Sequence, residues 1–162
     1  MRRLRPLLLL ALLAPGAPSL AGCDSQSAGC DSTVPFEIED LTPAGTALGD
    51  AAGPNSCVTV DYVGRLADGS GVFDEGTLNL LVATGQGFIT GFVVGVNEQR
   101  VGQTRRVTIP PAVGYGTSER PARAGSVAGS GEPYVGIPSC SVLEFDITLT
   151  RINPDPRICG GV

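Results

Sequence analysis

Apolar and polar positions alternate with period two in four stretches of this chain, and that period predicts strands. Val58, Val60, Tyr62 and Leu66 share one parity, with Thr59, Asp61 and Arg65 on the other. Leu143, Phe145, Ile147 and Leu149 alternate most cleanly, against Glu144, Asp146, Thr148 and Thr150. Val107 and Ile109 alternate with Arg106 and Thr108 until Pro110-Pro111 stops the run, and Phe36 and Ile38 alternate with Glu37 and Glu39. Such one-faced patterns predict an antiparallel sheet with one face covered. Ala67-Asp68-Gly69-Ser70-Gly71 forms a turn, and the Gly-, Ala- and Pro-rich residues 42–56 form a loop. Only Ile89, Phe92, Val93 and Val96 fall at helical spacing (i, i+3, i+4, i+7). Their β-branched and glycine neighbours oppose a helix, so packing must hold it. Several antiparallel strands with one short helix make an α+β domain.

The chain has 162 residues, enough for one ordinary domain. All eleven basic residues are arginine, with no lysine and no histidine. That excludes His-based acid–base chemistry, His-ligated metals, Schiff-base lysines and Ser–His or Cys–His nucleophiles. A net charge of −5 argues against nucleic acid as a partner. Arg2, Arg3 and Arg5 precede the apolar run Leu7 to Ala14, which is too short to span a bilayer. Residues 1–22 therefore read as a signal peptide. Leu20-Ala21-Gly22-Cys23 resembles the bacterial lipobox, so Cys23 is the expected lipidation site and 23–35 a short tether. The expected location is the periplasmic side of a bacterial membrane, with a lipid bilayer as partner. Export puts Cys30, Cys57, Cys140 and Cys159 in an oxidising compartment, where two structural disulfides are expected. Four cysteines allow three pairings, and no C-x-x-C spacing points to zinc or a redox dithiol. Gly85-Gln86-Gly87 lacks the strand–turn–helix context of a dinucleotide site, and the scattered acids form no calcium loop. No metal and no cofactor are expected.

Val60-Asp61-Tyr62-Val63-Gly64-Arg65-Leu66, Asp68-Gly69, Val72-Phe73-Asp74 and Phe88-Ile89-Thr90-Gly91-Phe92 occur in that order. They are followed by 101–111 (Val-Gly-Gln-Thr-Arg-Arg-Val-Thr-Ile-Pro-Pro), Gly114-Tyr115-Gly116, Ile137-Pro138 and 143–149 (Leu-Glu-Phe-Asp-Ile-Thr-Leu). The ordered set resembles the FKBP-type peptidyl-prolyl cis-trans isomerases over residues 36–152, leaving 153–162 as a tail. The resemblance implies a five-stranded antiparallel sheet wrapped around one short helix, with an apolar pocket between them. It also implies a monomer that binds proline-containing segments of exported proteins, with a macrolide inhibitor as a further ligand.

Carried over by motif, Phe92 is the pocket floor, Tyr62, Phe73 and Phe145 are walls, and Phe88 and Ile137 complete the binding surface. Tyr115 and the Ile89 backbone N–H would hydrogen-bond the peptide, and Asp74 with Tyr115 would polarise the rotating carbonyl. Asp74, Tyr115, Phe92 and Ile89 are thus the candidate catalytic residues. Asp74 has a second reading as a carboxylate bonded to backbone or arginine. Six of the eight Phe and Tyr residues fall in this set. Three departures stand out. Phe92 replaces the family's usual Trp, and Leu78 and Leu80 stand where Phe is common, after an apparently short loop at Glu75 to Thr77. Residues 117–136 form an enlarged flap, polar and flexible by composition. The strand order sets Cys57 and Cys159 near neighbouring strand ends, so Cys57–Cys159 with Cys30–Cys140 is the expected pairing. A non-catalytic peptide-binding or chaperone module, and a structural surface lipoprotein without function, are the alternative readings.

Overall fold

The computed structural model describes residues 29–30, 33–83 and 87–159. The expected signal peptide, Cys23, most of the tether, and Gly85 and Gln86 lie outside the described residues. Five strands form one antiparallel sheet: β1 (Glu37–Asp40), β2 (Cys57–Leu66), β3 (Val72–Leu81), β4 (Thr104–Ile109) and β5 (Leu143–Asn153). Their spatial order is β1-β4-β5-β2-β3. Among the described residues the single α-helix, α1 (Thr90–Val96), lies against β4 and β5. This is the expected α+β architecture.

The alternating residues do what their period requires. Val58, Val60, Val107, Ile109, Leu143, Ile147 and Leu149 are all fully buried. Together with Leu80 and Val96 they form the core between sheet and helix. The helix survives its poor propensity because its two glycines face the sheet. A Cβ on Gly91 would meet Ile109 Cγ2 at 2.6 Å, and one on Gly95 would meet Val107 Cγ2 at 2.7 Å. Close approach, and the burial it permits, outweighs the roughly 1 kcal/mol that each glycine costs a helix. On the outer face Asp146 accepts bonds from Arg65 (2.7 Å) and from Arg106 (2.8 and 3.1 Å), tying β5 to β2 and β4.

Four local expectations change. Ile38 lies in a true strand, yet it is 43% exposed, because β1 is the sheet's edge and only Phe36 packs on the core. Glu75 to Thr77 form no loop: β3 runs unbroken from Val72 to Leu81, with Glu75, Gly76 and Thr77 opposite Val63, Tyr62 and Asp61. With no apolar side chain among them, they hid the strand from an apolar-period reading. The enlarged flap is held in place by specific bonds, described below. The tail continues β5 to Asn153 and ends in a 3-10 turn (Pro156–Cys159) packed on β2 and β3. Disulfides join Cys30 to Cys140 and Cys57 to Cys159. These are the two pairs expected from strand order. The first ties the N-terminal segment to the foot of the flap, and the second ties that turn to the start of β2.

Candidate functional site

Between the sheet, α1 and the flap lies a cavity of about 530 Å³. Phe145 on β5 stands at its centre. Its ring makes near-perpendicular contacts with Phe73 (5.3 Å) and Phe92 (5.1 Å), and Tyr62 lies 6.3 Å away. Phe92 on α1 also meets Tyr62 edge-on at 5.8 Å and stacks on Phe88 at 6.3 Å. Edge-to-face pairs at these distances stabilise a cluster beyond simple area burial and fix ring orientations.

Two backbone devices place these rings. Gly64 on β2 lies opposite Phe145 on one side and Asp74 on the other. A Cβ on Gly64 would lie 2.6 Å from Phe73 and 2.8 Å from Phe145, so only glycine leaves room for both rings. Beside it the register steps from Asp74 opposite Gly64 to Val72 opposite Arg65, leaving Phe73 as an extra residue. A bulge of this kind re-aims side chains. Here two successive residues, Phe73 and Asp74, both line the cavity.

The remaining expected residues also meet here: Tyr62, Phe88, Ile89, Tyr115 and Ile137 all line the cavity. Ile89 has extended backbone just ahead of α1. Its carbonyl accepts bonds from Phe92 N (3.1 Å) and Val93 N (3.4 Å). Among the described residues its own N–H donates to nothing, nor does the Tyr115 hydroxyl. Burial pushes the Tyr115 phenol above its ordinary value, so at neutral pH it keeps its proton and remains a donor. Of the two leucines, Leu78 lines the cavity, whereas Leu80 is wholly buried in the core and forms no wall.

Asp74 is the most heavily engaged polar group. Tyr62 O–H donates to its Oδ2 at 2.7 Å, and the backbone N–H of Glu75 to its Oδ1 at 3.0 Å. Arg123, from the flap, makes a close ion pair with the same Oδ1. Burial and the Asp74 carboxylate together push the Tyr62 phenol well above its ordinary value. Asp74 thus lines the cavity and, as in its second reading, is bonded to backbone and arginine, with Tyr62 as a further partner.

The flap fills the rest of the wall. Arg120 and Ile137 exchange backbone bonds of 2.9 and 2.8 Å, closing the flap at its base. Arg123 Nη1 also donates to the Glu75 carbonyl at 3.1 Å, and its guanidinium lies 4.5 Å from the centre of the Tyr134 ring. Glu75 Oε1 accepts from Ala128 N (2.6 Å) and Tyr134 O–H (2.9 Å). Arg120, Pro121, Arg123 and Val135 line the cavity, and none was named from sequence. The available signal was Asp74 itself, which needs a cation, beside a flap carrying two arginines within four residues.

A five-stranded antiparallel sheet closed by one short helix over an aromatic cavity defines an FKBP-like domain. Residues 49–150 match the family described as FKBP-type peptidyl-prolyl cis-trans isomerase, and the chain belongs to that family. It is 36% identical over 119 residues to "Peptidyl-prolyl cis-trans isomerase FKBP53" of Arabidopsis thaliana, covering 72% of this chain and 22% of that one. It is also 36% identical over 111 residues to "FK506-binding protein 3" of Debaryomyces hansenii, covering 67% of this chain and 22% of the relative. The chain thus spans about a fifth of the length of these curated relatives. Among solved structures, it resembles FkpA from Escherichia coli with TM-score 0.53 and 27% identity, covering 80% of this chain and 54% of FkpA. It resembles AtFKBP13 with TM-score 0.56 and 25% identity, covering 77% of this chain and 98% of that one.

Proposed function

We infer that the chain accelerates cis–trans rotation of X–Pro bonds in exported proteins by desolvating them in the aromatic cavity. The observation that carries this reading is the ring cluster of Tyr62, Phe73, Phe92 and Phe145 beside two uncommitted donors, Ile89 N–H and Tyr115 O–H. Rotation breaks no bond and moves no proton. Its barrier of about 18–20 kcal/mol is amide resonance, which separates charge and is therefore strengthened by water. Uncatalysed X–Pro exchange takes tens to hundreds of seconds, slow enough to limit folding. An apolar cavity that holds the proline ring removes water from the planar ground state. The twisted, less polar state gains by comparison. Phe92, smaller than the family's Trp, still contacts both Tyr62 and Phe145 as a floor. Tyr115 and Ile89 would hold the peptide while its carbonyl turns, and Asp74 would polarise that carbonyl. A macrolide would occupy the same cavity, and one monomer would suffice for the site.

The location proposed is the periplasmic side of a bacterial membrane. Residues 1–22 act there as signal peptide and a lipid on Cys23 as anchor. Three early arginines, the apolar run and Leu20-Ala21-Gly22-Cys23 support that placement, as do the two disulfides that join the four cysteines other than Cys23. A second reading, a non-catalytic peptide-binding module, draws on one observation: Arg123 already occupies an oxygen of Asp74.

Exchange NMR on capped Leu–Pro peptides tests the reading, using protein expressed from the full chain in an oxidising compartment. Acceleration that is lost in Phe145→Ala and reduced in Asp74→Leu is the expected result. Acceleration unchanged by Asp74→Leu removes Asp74 from the mechanism. Binding without acceleration by the folded, oxidised protein establishes the module instead.

A further inference from the structure

Two arginines of the flap face the cavity, and their charges are not equally spent. Arg123 is neutralised by Asp74. Arg120 makes no ion pair among the described residues, and its side chain donates no hydrogen bond there. Glu75, the carboxylate next along β3, is turned toward Ala128 N and Tyr134 O–H and does not line the cavity. Glu119 precedes Arg120 in the chain but is not part of the lining either. The cavity wall thus carries one net positive charge, on a chain whose overall charge is −5.

That charge is also held in position. The reciprocal backbone bonds between Arg120 and Ile137 fix its main chain against a pocket wall. Its guanidinium carbon lies 4.8 Å from the centre of the Tyr115 ring, a cation–π distance. A stacked guanidinium keeps its planar edge free to bind a carboxylate in two-pronged fashion. Arg120 is itself exposed, so the attraction acts at a solvated rim, beside the ring whose hydroxyl is proposed to hold the peptide, and is modest and salt-dependent.

Resting on the reading of this cavity as a prolyl-peptide site, we propose that Arg120 is a specificity-determining residue that selects prolines flanked by a carboxylate side chain. The substrate class is then Glu–Pro, Asp–Pro and their reversed neighbours, in place of a purely apolar flank. Tyr115 acts here as the platform for the charge as well as a donor to the peptide.

The test compares capped peptides that differ only in charge, Glu–Pro against Gln–Pro and Pro–Glu against Pro–Gln, with Leu–Pro as reference. Wild-type protein from the full chain should favour the acidic member of at least one pair in kcat/KM by about threefold at low ionic strength, the scale of an exposed ion pair. The preference should shrink at molar salt, where screening acts within roughly 3 Å. Arg120→Gln should bring the acid-to-amide ratio near one, and Arg120→Lys should restore part of it. Equal turnover of both members by the wild type, with Leu–Pro still accelerated, overturns this inference and leaves the isomerase reading standing. No acceleration of any peptide overturns the isomerase reading. Chemical-shift titration with the same pairs then decides the charge preference alone: tighter acidic binding that depends on Arg120 supports it, and equal binding overturns it.

Discussion

The two sides of the cavity are built by different physics. The sheet-and-helix side is apolar: Phe73, Phe92 and Phe145 are each at most 6% exposed and lock one another edge to face. The flap side is polar and exposed, held by Arg123 on Asp74, by Tyr134 and Ala128 on Glu75, and by arginines over tyrosine rings. The first side carries stability and offers the apolar surface on which the proposed amide rotation relies. The second contributes little to stability, since exposed ion pairs are weak, but in the proposed reading it sets which charges a bound peptide meets. On that proposal, the fold keeps its chemistry in the core and varies its selectivity on a loop.

That contrast can be broken most forcefully at Phe145. Phe145→Ala should destabilise the domain by about 3–5 kcal/mol, read as a lower urea midpoint, and abolish isomerisation. Gly64→Ala pushes a methyl group into Phe73 and Phe145 and should cost about 1–3 kcal/mol as overpacking. Activity should fall while Arg120-dependent charge selectivity in peptide binding persists. Asp146 supports the same side from outside. Burial raises its pKa and is the largest single influence, yet the Arg106 and Arg65 guanidinium groups outweigh it and hold the carboxyl low. The contribution is therefore complete above the ordinary value of 3.8 and lost as pH falls below it through the lowered folded value. Asp146→Asn should cost on the order of 1 kcal/mol, allowing for partly exposed arginines, and should flatten the acid limb of a stability–pH curve. The smallest effect belongs to the flap. Arg123→Ala should leave the urea midpoint nearly unchanged while hydrogen exchange across 117–136 speeds up several-fold. An unchanged exchange pattern would show that the flap's backbone bonds suffice.

The sheet was legible where one face is buried, as in the parity of Val58 to Leu66 and of Leu143 to Leu149. β3 was not legible from period: its bulge at Phe73 breaks alternation, and Glu75 to Thr77 are polar or lack a side chain. Its position came only from the family resemblance. The aromatic half of the site came from the family resemblance, which carried Tyr62, Phe73, Phe88, Phe92 and Phe145 over by motif; the scarcity of aromatics only supported it. The flap was not, because glycine, serine and proline describe its local backbone but not the carboxylates it reaches. Asp74 and Glu75 lie about fifty residues away in the chain from the arginine, alanine and tyrosine that bind them, as their separations of 49, 53 and 59 show. Long-range polar pairing leaves no period to read.

The order of the cysteines has one more consequence. Cys30 joins Cys140 and Cys57 joins Cys159, so the two covalent loops overlap. The flap lies in the stretch common to both, with residues 117–126 exposed throughout. A protease that cuts after Arg123 leaves Cys30 and Cys57 on one fragment and Cys140 and Cys159 on the other. The severed halves stay joined by two covalent links. Nicked protein then migrates as a single species until a reductant is added, and keeps its aromatic cavity after the loop over it has been opened.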